Sequence, residues 1–345
     1  MNLSWKYINT DGVYSIGAQW VDEVTVDWLG GVSRGNKPVV VVAGGNKGPT
    51  QTSCTVPSPA TAKNAIAVGA VNDGTYPYFP PGGRAYFSCT GPVDVDGDGH
   101  SRTKPDVVAP GTNVVVPTTA PANYSWYDGT SFSAPTVAGL VALMFSLYSN
   151  VLRDWRAHLP AVAKAWVVNN AFPIYPVNVS RWIFGDPQYG FGFVNFYWFY
   201  LGVGATYKGQ LCSTGEKYLI NYTRWYNSPS DVVFITLTWL DKPGPEDAYH
   251  DLDLRVYYDG RLIASSISFD ETVEKVAVTG VGGGVLTIEI YGNSIRRFFT
   301  EPCVHFVVDV TEIRRSDNDK LRISVSIPSY VASHSNMFVF NATVT

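Results

Sequence analysis

Two rhythms of apolar positions divide the chain. Up to Leu201, short uninterrupted apolar runs alternate with segments of helical period; beyond it, apolar and polar residues alternate singly. "PVVVVAGGN", residues 38–46, is a continuous β-branched run ended by glycines, which predicts a strand covered on both faces in a parallel sheet. "NAIAVGAV", residues 64–71, repeats it, and "KPDVVAPGTNVVVP", residues 104–117, adds another buried strand. Ile16, Trp20, Val24 and Trp28 recur at the period of an amphipathic helix, with Asp22, Glu23 and Asp27 between them. Residues 133–147 predict a helix with Pro135 in its first turn, where a missing N–H costs nothing, and residues 161–170 predict another. Strands alternating with helices make this half an α/β domain, a mainly parallel sheet flanked by helices.

In the second half the period is two: Ile235, Leu237 and Trp239; Leu252, Leu254 and Val256; Leu286, Ile288 and Ile290; Leu321, Ile323, Val325 and Ile327. With turns such as Tyr258-Asp259-Gly260 between them, these runs predict an all-β antiparallel sandwich. The domains expected are therefore residues 1–202 and 203–345, the second jelly-roll-like.

Composition narrows the partners. A chain of 345 residues with 46% hydrophobic content can bury two cores. A net charge of −4 without a basic stripe argues against nucleic acid and anionic membranes. The uncharged stretch of residues 187–207 is punctuated by Tyr189-Gly190-Phe191-Gly192, so no membrane span is expected there. Cys54, Cys89, Cys212 and Cys303 lack zinc spacing; of three connectivities, pairing within each half is favoured, with buried free thiols as the alternative. Sequons at Asn2, Asn123, Asn178, Asn221 and Asn341 suit an extracellular, secreted protein. "MNLSWKYINT" nevertheless has neither the basic nor the apolar region of a signal peptide, so the start of the protein is expected to lie elsewhere.

"GTSFSAPTVAGL", residues 129–140, places Ser131 at the mouth of an apolar helix. There the free N–H groups and the positive end of the helix dipole face any oxyanion beside the hydroxyl, although a plain N-cap gives the same pattern. The motif "GTSFSAP" resembles the nucleophile motif of subtilisin-like serine proteases. "VVVVAGGNKGP", "PSPATAKNAIAVGAV" and "RTKPDVVAPGTNV" resemble that family's oxyanion strand and the wall and strands that follow, in the family's order. "VFITLTWLDKPGPEDAYHDLDLRVYYDGRL" is similar to the β-sandwich behind the catalytic domain in a subset of the family, where a Trp-x-Asp turn precedes an Asp-Leu-Asp-Leu strand.

The resemblance implies a serine endopeptidase acting on protein or peptide substrates. Ser131 would attack the scissile carbonyl, with the Asn46 side-chain amide and the Ser131 backbone N–H holding the oxyanion. The substrate would lie as an added strand between Ser4 and Trp5 on one side and Ala43, Gly44 and Gly45 on the other. Lys6 stands where the family usually has glycine, which would narrow the cleft or favour acidic side chains.

The family's Asp-centred strand and His-Gly-Thr-His helix start do not occur in these residues, so the expectation is an incomplete subtilisin-like domain whose aspartate and histidine come from an absent N-terminal segment or a separate chain. None of His100, His158, His250, His305 and His334 lies in a motif that would make it the base. A Ser, Asp, His order would suggest an α/β-hydrolase, but "GTSFS" is not that fold's GxSxG elbow. In subtilisin itself loss of the serine or histidine costs about 2 × 10⁶ in kcat, so this chain alone is expected to be nearly inert and to expose a sheet edge that associates. The rival class is a catalytically inactive binding or scaffold protein of the same fold. Finally, Asp94, Asp96 and Asp98 occupy positions 1, 3 and 5 of an EF-hand-like loop with Gly99 at position 6, a candidate structural calcium site, though Pro105 replaces the bidentate Glu of position 12 and a solvated acidic turn is the stronger alternative. Asp251 and Asp253 have a weaker claim.

Overall fold

The apolar runs become a four-stranded parallel sheet in the order β1-β2-β3-β4: Asn2–Leu3, Val41–Ala43, Ile66–Val71 and Val107–Pro110. The computed structural model describes residues 1–6, 9–26, 37–47, 53–73, 82–94, 101–119, 123–171, 185–245, 248–296 and 302–314. Trp28, Gly99, His100, Asn178, His334, Asn341 and the run from Leu321 to Ile327 lie outside these. Side chains alternate between two cores, as a sheet buried on both faces requires. Val41, Ala43, Ile66 and Val68 face helices α2 (Thr130–Leu147) and α4 (Leu159–Asn169), whereas Val40, Val42, Ala65 and Ala67 face α1 (Ile16–Val26). Between α2 and α4 lies the single turn α3 (Ser149–Leu152).

Helix α1 corrects one expectation. The stripe of Ile16 and Trp20 is more than half exposed, and the buried face is Gly17, Ala18, Val21, Asp22, Thr25 and Val26. Small residues let the helix approach the sheet, and Asp22 is buried because its two carboxylate oxygens accept the backbone N–H groups of Lys63 at 3.0 Å and Asn64 at 2.8 Å. A charge in that position replaces water with fixed donors. Helix α2 also begins earlier than expected, at Thr130, so Pro135 falls beyond the first turn. Proline has no N–H to return to the carbonyl four residues back, which is that of Ser131. That oxygen instead accepts the Ser4 hydroxyl at 3.3 Å.

An antiparallel pair, β5 (Val114–Pro117) and β6 (Tyr124–Tyr127), precedes α2, and helix α5 (Phe196–Leu201) leads into the sandwich. One sheet runs β11-β10-β13-β8 (Arg261–Ser266, Asp251–Tyr258, Val285–Ser294, Lys217–Thr223), and the other β12-β9-β14-β7 (Val273–Val278, Val232–Trp239, Val304–Ile313, Val203–Leu211). All their pairings are antiparallel. Ile235, Leu237 and Trp239 point into the shared core with Leu252, Leu254, Ile288 and Ile290. Both disulfides form, Cys54–Cys89 and Cys212–Cys303, one in each half of the chain.

The outward residues of the second sheet are buried too, because α4 lies across it with nearly every residue enclosed. Polar side chains fill that seam: the Asn169 amide nitrogen donates to Asp309 Oδ2 at 2.8 Å and its oxygen accepts the Thr236 hydroxyl at 2.8 Å, while the Trp166 indole N–H reaches Thr206 Oγ1 at 2.9 Å. Lower down, Lys104 and Lys164 clamp Asp106 at 2.7 and 3.0 Å, and these cations hold its carboxyl below the usual range against the opposing pull of burial. The Trp-x-Asp turn belongs to the same seam. Asp241 and Asn64 exchange two hydrogen bonds of 2.8 Å, and Lys63 Nζ lies 3.4 Å from Asp241. Because a buried acceptor left without its donor bears its full desolvation cost, Asn169→Ala is expected to lower unfolding stability by about 1–3 kcal/mol, measured by denaturant titration. A loss below a few tenths of that would contradict the role given to this seam.

Lys275 is fully buried, donates to the Val168 carbonyl at 2.8 Å, and burial alone pushes its ammonium from its ordinary 10.5 down to about 7. Between these values the unfolded chain holds a proton that the folded chain does not, so this group makes stability rise with pH from about 7 towards 10.5. Below that window both states are protonated and the cost of the buried charge is present in full. Lys275→Met is therefore expected to raise the thermal midpoint at pH 7 and to flatten its rise towards pH 9; an unchanged slope would contradict this assignment.

Candidate active site

Ser131 is the second residue of α2, half-buried, and the strand end that faces it is Gly44-Gly45-Asn46. Both glycines are required there. A Cβ on Gly44 would stand 2.9 Å from the Val68 carbonyl oxygen, and Gly45 takes φ +94° with its missing Cβ 2.5 Å from Pro57. Cys89 N donates to the Gly45 carbonyl at 3.0 Å, so the Cys54–Cys89 bond braces this turn from behind.

The turn delivers Asn46 to the start of α2. Its Oδ1 accepts Thr130 N at 3.0 Å and Thr130 Oγ1 at 2.9 Å. A backbone N–H can only donate, so the amide oxygen must face Thr130 and the amide nitrogen must face away from it. That nitrogen overlooks Gly129: a Cβ added there would be 3.3 Å from Asn46 Nδ2 and 3.6 Å from Ser131 N. Two N–H groups thus border the space that a Cβ at 129 would take, and glycine keeps it open.

Ser4, Trp5, Ala43, Gly44 and Gly45 also converge here. β1 pairs with β2 through Asn2↔Val41 and Leu3↔Val42, so Ser4 and Trp5 leave the sheet edge exposed beside buried Ala43, Gly44 and Gly45. Lys6 then crosses between the two walls, its Nζ donating to the Asn46 carbonyl at 3.2 Å. Thr130 carried no sequence expectation. Its hydroxyl accepts Gly45 N at 3.2 Å and donates to Asn46 Oδ1, so one side chain locks the glycine turn to the helix. Only its place between Gly129 and Ser131 hinted at this.

The described histidines are engaged elsewhere. His158 and His305 meet edge to face at 5.3 Å, and burial, followed by His305, Lys208 and Lys37, pushes the His158 imidazolium down to about 4. His250 lies 4.0 Å from Asp241 in the seam between the two halves. Of the proposed calcium ligands, Asp94 is exposed, and Asp96 and Asp98 lie outside the described residues. Asp253 is paired with Arg255 at 2.6 Å, and Asp251 accepts the Asn293 amide at 2.6 Å. Among the described residues, no cluster of three or more His, Cys, Asp or Glu side chains could hold a metal.

One described helix, α2, is long and apolar enough to cross a membrane, but its Ala134, Val137, Val141 and Met144 are packed into the core under the parallel sheet. Residues 187–207, expected not to span, contain α5 and the start of β7.

The sequence model of the subtilase family (Peptidase_S8) matches residues 1–212. Subtilisin amylosacchariticus of Bacillus subtilis subsp. amylosacchariticus is 39% identical over 109 residues, covering 31% of this chain and 23% of that protein. Halolysin of Haloferax mediterranei is 28% identical over 194 residues, covering 54% and 35% respectively. The solved structure "PatG macrocyclase in complex with peptide" is similar over 56% of this chain and 49% of its own, at 22% identity and a TM-score of 0.38. The chain spans 23–35% of the length of these two curated relatives.

Proposed function

Because this chain belongs to the subtilase family, we propose that it supplies the nucleophile, the oxyanion hole and the substrate walls of a serine endopeptidase. Ser131 Oγ forms a bond to the scissile carbonyl carbon while its proton passes to a histidine, itself oriented by an aspartate, on polypeptide outside these 345 residues or on a second chain. The carbonyl oxygen becomes an oxyanion between Asn46 Nδ2 and Ser131 N. Collapse expels the amine, which takes the proton from the histidine, and water then releases the acyl group from Ser131 by the same route in reverse. The observation that carries this reading is the pair of hydrogen bonds that Thr130 N and Oγ1 donate to Asn46 Oδ1, which leaves the amide nitrogen facing away from Thr130, next to the space that Gly129 keeps open.

Protein or peptide substrates would lie between Ser4–Trp5 and Ala43–Gly45, with Lys6 bridging the walls. An extracellular site of action is part of the same proposal, supported by the two disulfides. A calcium ion near Asp94 is proposed only as a structural ligand, and no chemical step depends on it.

Fluorophosphonate labelling followed by peptide mapping tests the reading. Slow labelling at Ser131 that accelerates when a polypeptide bearing the Asp and His motifs is added supports it. A folded complex with no acceleration favours the inactive scaffold.

A further inference from the structure

The loop from β8 to β9 presents Trp225 with 67% of its surface exposed, although Trp239 in the neighbouring strand is 1% exposed. The backbone beneath it is firmly held. Glu312, buried in β14, accepts Trp225 N at 2.9 Å and Tyr226 N at 3.3 Å. Arg224 donates to the carbonyls of Val281 and, at 2.9 Å, Gly282, and its Nε lies 3.5 Å from Glu312. Asn227 packs so closely on Gly283 that a Cβ there would be 2.0 Å from its Oδ1. Trp225 borders a depression of about 480 Å³ whose rim carries Asn227, Ser228, Ser230, Asp231 and Arg314. The two serine hydroxyls are 2.7 Å apart, and the Arg314 guanidinium stacks 4.3 Å over Tyr226.

We propose that this depression binds a pyranose ring of a neutral β-1,4-linked oligosaccharide. Such a sugar has two kinds of surface, an apolar face of C–H groups and a rim of hydroxyls that both donate and accept. The exposed indole offers a large flat surface for the first. The Asn227 amide, the serine hydroxyls and the Arg314 guanidinium offer mixed donors and acceptors for the second. A lipid chain would find the rings of Trp225 and Tyr226 set among five polar side chains, and a phosphate would meet the Asp231 carboxyl. The backbone held by Glu312 also lowers the ordering cost of binding. Equatorial β-1,4 linkage matters because it keeps successive C–H faces flat enough to stack.

Calorimetric titration of the 345-residue chain with cellohexaose and chitohexaose tests this, with circular dichroism confirming that each variant is folded. Saturable binding to at least one of them is expected, weakened by about tenfold or more in Trp225→Ala and by no more than about threefold in Trp225→Phe. Absence of binding to both, or equal affinity in Trp225→Ala, would overturn the proposal. Neither readout depends on peptidase activity.

Discussion

Alanine at position 131 is expected to lower kcat of the proposed peptidase, assayed together with a polypeptide carrying the Asp and His motifs, by about 10⁶-fold. The magnitude is that measured for subtilisin, where nucleophile and base act as a unit and removing either removes both. The substitution should cost almost no stability, because Ser131 is half-exposed at its side chain's end of α2 and its structural bond to Ser4 is made by the backbone oxygen, which alanine keeps. Substrate affinity should also persist, since the walls formed by Ser4, Trp5 and Ala43–Gly45 are untouched. A variant that retained more than about a thousandth of the activity would mean that another group performs the chemistry.

The second large effect concerns Asn46. Asn46→Ala is expected to lower kcat by about 10²–10³, or about 2.7–4 kcal/mol, with KM nearly unchanged, because the donor acts on charge that exists only in the transition state. Asn46→Asp sharpens the test. A carboxylate can still accept from Thr130 N and Thr130 Oγ1, so the local fold should hold. It offers the oxyanion an acceptor and a like charge instead of a donor, so its loss should at least equal that of alanine. Equal losses in kcat and KM affinity for both variants would indicate a wall residue, not an oxyanion donor.

The local geometry around Ser131 and Asn46 was partly legible in the chain, because close backbone approach demands glycine at particular places in a short space. Ser131 and Asn46 stand in motifs whose glycines have physical reasons to be there: the Gly44-Gly45 turn has no room for a Cβ, and Gly129 leaves the volume between two N–H groups open. The same motifs pointed to the family to which the chain belongs. What the sequence hid was long-range. Asp22 is buried only because Lys63 and Asn64, about forty residues away, offer it backbone donors, and that reversed the face of α1 expected from Ile16 and Trp20. Thr130 carries no signal in the chain beyond standing next to Ser131, yet it clamps Asn46.

The sandwich shows the same division. β9, β10 and β13 advertise themselves by alternation, since one face of each fills the shared core. β14 and β7 do so less clearly, because Thr206, Asp309 and Thr311 occupy their other face to bond Trp166 and Asn169 of α4. Polar letters there signify burial against a partner, not contact with water. The start of α2 differs from expectation for a related reason: Pro135 suggests a first turn, whereas the helix begins earlier, at Thr130, and its freed Ser131 carbonyl accepts the Ser4 hydroxyl.

The most direct measurement is the structure of the complemented protein with a peptide boronate bonded to Ser131. The account predicts one boronate oxygen about 2.7–3.1 Å from both Asn46 Nδ2 and Ser131 N, with the peptide lying between Trp5 and Gly45. An adduct whose oxygens all point to solvent while the Asn46 amide stays beyond hydrogen-bond reach would contradict it.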